Sequence, residues 1–263
     1  MTTLRERIVA AIDLHPRLAI AVSGGVDSMT LAHLAARGSR AQVTMYHAAS
    51  PAVPESARAR VEDHAARFGW QLRVIDAREL ADDRYRANPV DRCYYCKTNL
   101  YDRIASVTGD PIASGTNTDD LSDFRPGLRA AREHDVVHPY VEAGAAKSDV
   151  YALAQSLGLA DLARLPAQPC LSSRVETGIA IDAADLAFID RVESALAAAL
   201  GTESVVRCRV THRGIVVEVG DAAREREARH IALQACEDAG RPFAGVRAYV
   251  RGAAFLHKRT QTA

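Results

Sequence analysis

The strongest constraint on the fold is an alternation near the N-terminus. A short apolar run, Arg17 to Val22 (RLAIAV), ends in Ser23-Gly24-Gly25-Val26-Asp27-Ser28, and Ser28 to Arg37 follows at once with apolar residues at helical spacing. The pattern recurs as Gln42 to His47 (strand), Glu55 to Phe68 (helix) and Gln71 to Asp76 (strand), after an opening helix over residues 3–13. Later come a helix over Leu100 to Thr108, a strand over Pro111 to Ser114 and a helix over Ser148 to Leu157. Strands alternating with helices in this way predict βαβ units around a parallel sheet. Ligands of such sheets sit beyond the carboxyl ends of the strands, where SGGVDS and the later GTNTDD both fall.

A second pattern starts after Leu165 to Gly178 (LPAQPCLSSRVETG), which reads as a connecting loop with a cysteine in it. Beyond it lie a helix over Asp182 to Leu200, strands over Ser204 to Thr211 and Ile215 to Val219, a helix over Ala222 to Ala239 and a strand over Val246 to Arg251. The expected architecture is therefore α/β. A parallel-sheet domain spans 1–164, a cysteine-bearing loop 165–180, and a smaller α/β domain 181–263.

Charge limits the partners. Lys+Arg and Asp+Glu number 33 each, so net charge is zero, which argues against a dominant electrostatic grip on nucleic acid or an anionic membrane. Any anionic ligand must be held locally. No apolar run reaches the ~20 residues needed to span a bilayer, and Arg, Glu and Asp interrupt the N-terminal apolar residues, so a cytoplasmic location is expected. Five cysteines suit metal, cluster or catalytic use better than a disulfide framework.

The chemistry concentrates in three places. Ser23, Gly24, Gly25, Asp27 and Ser28 stand between a buried strand and a helix, where glycines let backbone N–H groups and the helix N-terminus face an anion. The loop lacks the Walker lysine and is not G-x-G-x-x-G. A tight strand-to-helix turn capped by Ser or Asp is the plain alternative. Gly115-Thr-Asn-Thr-Asp119-Asp120 follows a later strand and is a weak signal alone. Cys93-Tyr-Tyr-Cys96 brings two thiolates within reach of one metal, and Cys170 from a distant loop makes three, leaving one position open. That count suggests an iron–sulfur cluster; a zinc site completed by His138 and a thioredoxin-type redox pair are the alternatives. Cys208 and Cys236 read as small core residues.

SGGVDS resembles the signature of the PP-loop, or N-type, ATP pyrophosphatases, an adenine nucleotide alpha hydrolase-like fold. The resemblance implies ATP cleaved between its α and β phosphates, with Asp27 helping to bind Mg²⁺ and Gly115 and Asp119 on a second nucleotide-facing turn. Asn88-Pro89 through Cys96-Lys97, residues 115–134, Glu142-Ala143-Gly144 with Lys147, and Pro169-Cys170-Leu171-Ser172-Ser173-Arg174 are together similar to the LarE-type sacrificial sulfur transferases, over about residues 5–255. That family adenylates a carboxylate of pyridinium-3,5-biscarboxylic acid mononucleotide and replaces AMP by sulfur, on the way to a nickel-pincer nucleotide. One family form gives up the sulfur of a single cysteine, here Cys170. The other holds a four-iron, four-sulfur cluster on three cysteines, here Cys93, Cys96 and Cys170, and the presence of all three favours the cluster form.

By the same resemblance Arg207 and Arg209, on one face of a strand, hold the acceptor's phosphate, and Ser173 and Arg174 flank the sulfur site. A homo-oligomer, as large as a hexamer, is implied too. The chain departs from the family before Cys170, after Arg174, and near Ala195 and Leu196, where a family acid is expected; a different acceptor would fit these departures. Three rivals remain. A PP-loop tRNA thiolase conflicts with the 12 Lys/Arg against 11 Asp/Glu of residues 180–263, a net of +1, and with Val26 where that group has Lys. An amidotransferase would need an ammonia source, and no glutaminase domain is visible. A zinc-stabilised nucleotide-binding module would release no pyrophosphate.

Overall fold

A computed structural model describes residues 2–122, 125–201 and 204–250. Two compact units emerge: residues 1–79 with 91–168, and residues 80–90 with 169–263. In chain order the elements are α1 (Leu4–Ile12), β1 (Arg17–Ala21), α2 (Val26–Gly38), β2 (Gln42–Ala48), α3 (Glu55–Phe68), β3 (Leu72–Ile75), α4 (Asp83–Arg86) and α5 (Arg92–Ala105). They continue with β4 (Ile112–Ala113), α6 (Gly127–Glu133), α7 (Pro139–Glu142), α8 (Lys147–Ser156), α9 (Ala160–Ala163), α10 (Ala183–Leu200), β5 (Val206–Thr211), β6 (Gly214–Val219), α11 (Glu225–Asp238) and β7 (Phe243–Ala248). The molecule is α/β as expected.

The first unit holds a four-stranded parallel sheet in the order β3-β2-β1-β4. The run RLAIAV fits its centre because each face takes a different residue size. Leu18 and Ile20 join the core shared with Ile8, Met29, Leu31, Leu34, Val61 and Val150, whereas Ala19 and Ala21 face Tyr46, Tyr101, Ile104, Ala130 and Ala131. The chain runs outward from β1 through β2 to β3 and then resumes at β4 on the other flank of β1. Open α/β sheets place ligands at such a reversal, here beyond the carboxyl ends of β1 and β4.

The second unit is built on a three-stranded sheet, β5-β6-β7, in which β5 and β6 form an antiparallel hairpin and β7 runs parallel to β6 after α11. Leu186, Ile189, Val192 and Leu196 of α10, Ala228, Ala232 and Cys236 of α11, and Cys208, Val217 and Val219 of the sheet are all buried. The expected core roles of Cys208 and Cys236 hold, and burial raises both thiols' pKa values.

Residues 80–90 belong with the second unit because their polar groups find partners there. Tyr85 Oη lies 2.6 Å from Ser172 Oγ, and Asn88, fully buried at φ +52°, donates to the carbonyls of Glu176 and Ile179 at 2.9 Å. Such long-range bonds leave no periodic trace in the sequence.

Several element boundaries differ from expectation. The helix expected from Leu100 starts at Arg92, so Cys93 and Cys96 stand on its first turns. The strand expected over Pro111–Ser114 contracts to Ile112–Ala113. The last strand starts at Phe243 and not at Val246, paired with β6 from Ile215 onward, while Arg251 lies outside the described residues. Asp123 and Phe124, within the stretch 115–134, also lie outside them. Among the described residues no helix is long and apolar enough to cross a membrane.

Candidate active site

The loops beyond β1 and β4 pack closely at two glycines. Gly24 has φ +82°, and a Cβ on it would stand 2.5 Å from the Ala57 carbonyl oxygen of α3. A Cβ on Gly115 would come within 2.8 Å of the backbone of Asp27 and Ser28. The two motifs are therefore in backbone contact, and each needs a residue without a side chain to be so.

Serines tie the first loop. Ser28 Oγ accepts from the Ser23 N–H at 3.0 Å and lies 3.1 Å from Ser23 Oγ. Helix α2 begins at Val26, and its N-cap, Gly25, offers no side-chain acceptor, so no side chain caps the first-turn N–H groups. A plain capped turn would have filled that position with its own Ser or Asp. Here Asp27 looks the other way, towards the second motif.

The Asp27 carboxylate is held at both oxygens: Asn117 Nδ2 donates to Oδ1 at 3.2 Å, and Lys147 Nζ reaches Oδ2 at 2.5 Å. Tyr140 Oη donates to the Asp27 carbonyl at 3.1 Å; full burial pushes the Tyr140 phenol's pKa well up, so it remains a donor. Asp119 accepts from the Lys147 N–H at 3.3 Å at the start of α8. The structure thus brings together Ser23, Gly24, Gly25, Asp27, Ser28, Gly115 and Asp119, and adds Lys147 and Asn117 as partners of Asp27. The sequence names both residues inside longer motifs, but nothing local says that either would meet Asp27.

Cys93 and Cys96 are half-buried on one face of α5, three residues apart. Cys170 is half-buried at the start of a short 3₁₀ turn, Leu171–Arg174, in the other unit. Among the described residues no group of three or more His, Cys, Asp or Glu side chains is placed to hold a metal ion. His138, the alternative fourth ligand, has Nδ1 2.9 Å from Ser114 Oγ, and burial lowers its pKa.

In the second unit the arginines are already engaged. Arg174 forms a two-pronged pair with Glu193 at 2.9 and 2.8 Å, and its Nη1 donates to the Cys170 and Pro169 carbonyls. Burial alone would push its pKa down, and the Glu193 carboxylate reverses that to a net rise. Glu193 also accepts from the Cys208 N–H at 2.8 Å. Arg209 is paired with the fully buried Glu218 at 2.8 Å and donates to the Ser173 carbonyl; Arg247 holds the other oxygen of Glu218 at 2.7 Å. Arg207 donates to its neighbour's carbonyl, stacks 5.5 Å from the Tyr249 ring, and has its pKa lowered by burial and by the Arg174 charge.

No family model matches the chain. It is 37% identical over 185 residues, 67% of each chain, to uncharacterized protein slr1717 of Synechocystis sp. (strain ATCC 27184 / PCC 6803 / Kazusa). It is 27% identical to uncharacterized protein MJ0830 of Methanocaldococcus jannaschii over 78% of each chain. Against the pyridinium-3,5-bisthiocarboxylic acid mononucleotide synthase of Lactiplantibacillus plantarum it is 29% identical over 201 residues, 74% of this chain and 72% of that one. On these grounds the chain belongs to one family with the Synechocystis protein, and that family is LarE-like.

Proposed function

We propose that the protein is an ATP-dependent sulfur transferase that adenylates a carboxylate of a pyridinium mononucleotide and replaces AMP by sulfur. The observation that carries this reading is the backbone contact of Gly115 with Asp27 and Ser28, which sets an uncapped helix N-terminus beside two carboxylates, Asp27 and Asp119, and the ammonium of Lys147. An anion-accepting backbone flanked by carboxylates and a cation suits a magnesium–nucleotide: Mg²⁺ offsets charge on the departing pyrophosphate. The uncapped start of α2 suits a phosphate group, and Gly24 lets the loop before it pack against Ala57.

In this reading the acceptor carboxylate attacks the α-phosphorus, pyrophosphate leaves, and the resulting acyl adenylate makes AMP a good leaving group for sulfur. Ser23, Gly25 and Ser28 with the α2 N–H groups hold the leaving pyrophosphate, and Asp27 would help to hold Mg²⁺. Cys170 marks the sulfur site, with Ser173 and Arg174 beside it, and Arg207 and Arg209 provide positive charge for the acceptor's phosphate. Arg209 already serves Glu218, so Arg207 carries more of that task. Of the three thiols expected to hold a four-iron, four-sulfur cluster, only Cys93 and Cys96 share a helix face, which supports two of its ligands and not the set of three. Replacing Asp27 by Asn tests the reading: pyrophosphate release should disappear with unfolding unchanged, and release at the wild-type rate would refute the assignment of the loop.

A further inference from the structure

Arg60 touches the phosphate loop. Gly24 is pressed against Ala57 in the first turn of α3, and Arg60 lies one turn further along the same face. Its Nη1 donates to the Gly24 carbonyl at 2.7 Å and to Gln168 Oε1 at 3.1 Å. Gln168 is exposed and stands two residues before Cys170. Among the described residues no hydrogen bond engages Nε or Nη2 of Arg60, so the guanidinium has donors to spare.

We propose that Arg60 is a positioning residue that couples occupation of the phosphate loop to release of the segment entering Cys170. This inference rests on the phosphate-loop reading above. An anion at the α2 N-terminus meets a guanidinium already in contact with the loop, and a charge-assisted bond to phosphate oxygen is roughly twice as strong as a bond to a neutral amide oxygen. Arg60 then turns to the anion and gives up Gln168, whose exposed amide finds water instead. The sulfur-bearing segment is thereby tethered while the loop is empty and loosened when it is filled, which keeps the sulfur from reacting before a nucleotide is present. Linkage makes the coupling reciprocal: removing the tether must tighten anion binding.

Amide hydrogen exchange on the whole protein, with and without magnesium pyrophosphate, reads both ends in one experiment and does not depend on what occupies the cysteines. In the wild type pyrophosphate should protect residues 23–28 and speed exchange of the peptide covering 164–170 several-fold. In Gln168→Leu that peptide should exchange fast from the outset and ignore pyrophosphate, residues 23–28 should still be protected, and pyrophosphate should bind about two- to five-fold more tightly. Arg60→Lys, which keeps the charge but cannot bridge two acceptors with one planar fork, should give the same fast peptide. Protection of 23–28 with no change at 164–170 in the wild type, or an unchanged response in Gln168→Leu, overturns the coupling. Absence of protection at 23–28 at saturating pyrophosphate removes the phosphate-loop reading, and the coupling with it.

Discussion

In the proposed function the two units receive a negatively charged ligand in opposite ways. In the first, the positive end is backbone: N–H groups at the start of α2 with no side-chain cap, in a loop that packs closely because Gly24 and Gly115 lack side chains, with Asp27 paired to Lys147. In the second, the positive groups are guanidinium side chains, and buried or half-buried carboxylates already hold two of them, Arg174 by Glu193 and Arg209 by Glu218. Backbone donors need no countercharge when empty, since they are dipoles, whereas a buried arginine without a carboxylate is an unpaired charge. The first kind of site is therefore built by omission of side chains, and the second by adding acids.

Changes that violate these two requirements should differ in kind. Gly115→Val drives a side chain into the backbone of Asp27 and Ser28 and should lower pyrophosphate release at least ~100-fold, about 2.7 kcal/mol in the barrier; a steady-state assay that finds under tenfold loss would mean that the contact is not needed. Glu218→Ala leaves the buried Arg209 without its partner and should destabilise the protein by about 3 kcal/mol in urea unfolding, while nucleotide affinity stays as it was. A fall in nucleotide affinity together with unchanged stability would blur the distinction drawn between the two units. Arg207→Ala should weaken a phosphorylated acceptor by about 1.5–3 kcal/mol, measured by calorimetry, and leave ATP binding alone.

The smallest effect concerns pH. His33, fully buried, lies 2.8 Å from His64 Nδ1, and His64 Nε2 lies 2.7 Å from Asp161. Burial, helped by the neighbouring His64, lowers the His33 pKa from 6.5 to about 3. The unfolded chain binds the proton first, so this contribution to stability is complete above pH 6.5 and declines as pH falls towards 3, by at most ~1.4 kcal/mol per unit. Urea midpoints at pH 7 and pH 5 should fall in that order; a higher midpoint at pH 5 would contradict the assigned sign.

Much of the first unit was legible because its signals are local. The alternation of Leu18 and Ile20 with Ala19 and Ala21 encodes a strand buried on both faces, and SGGVDS encodes the turn that follows. What was not legible depends on partners far away in the chain. Lys147 meets Asp27 across 120 residues and Arg60 meets Gln168 across 108, and neither pairing leaves a pattern in spacing. The same holds for Glu193, an acid whose role is set only when α10 lays it against Arg174 and the Cys208 N–H. The start of α5 was misplaced because Cys-Tyr-Tyr-Cys carries no strong helical preference, and tertiary packing of Tyr101 and Ile104 extends the helix back over it.

The central claim is that the glycine-shaped loop holds a leaving pyrophosphate, and the identity of the nucleotide product tests it most directly. Incubated with Mg²⁺-ATP and a carboxylate-bearing pyridinium mononucleotide, the protein should yield AMP and pyrophosphate in equal amounts on anion-exchange chromatography, with none from Asp27→Asn. ADP and inorganic phosphate as the products would place the cleavage between the β and γ phosphates and contradict the account.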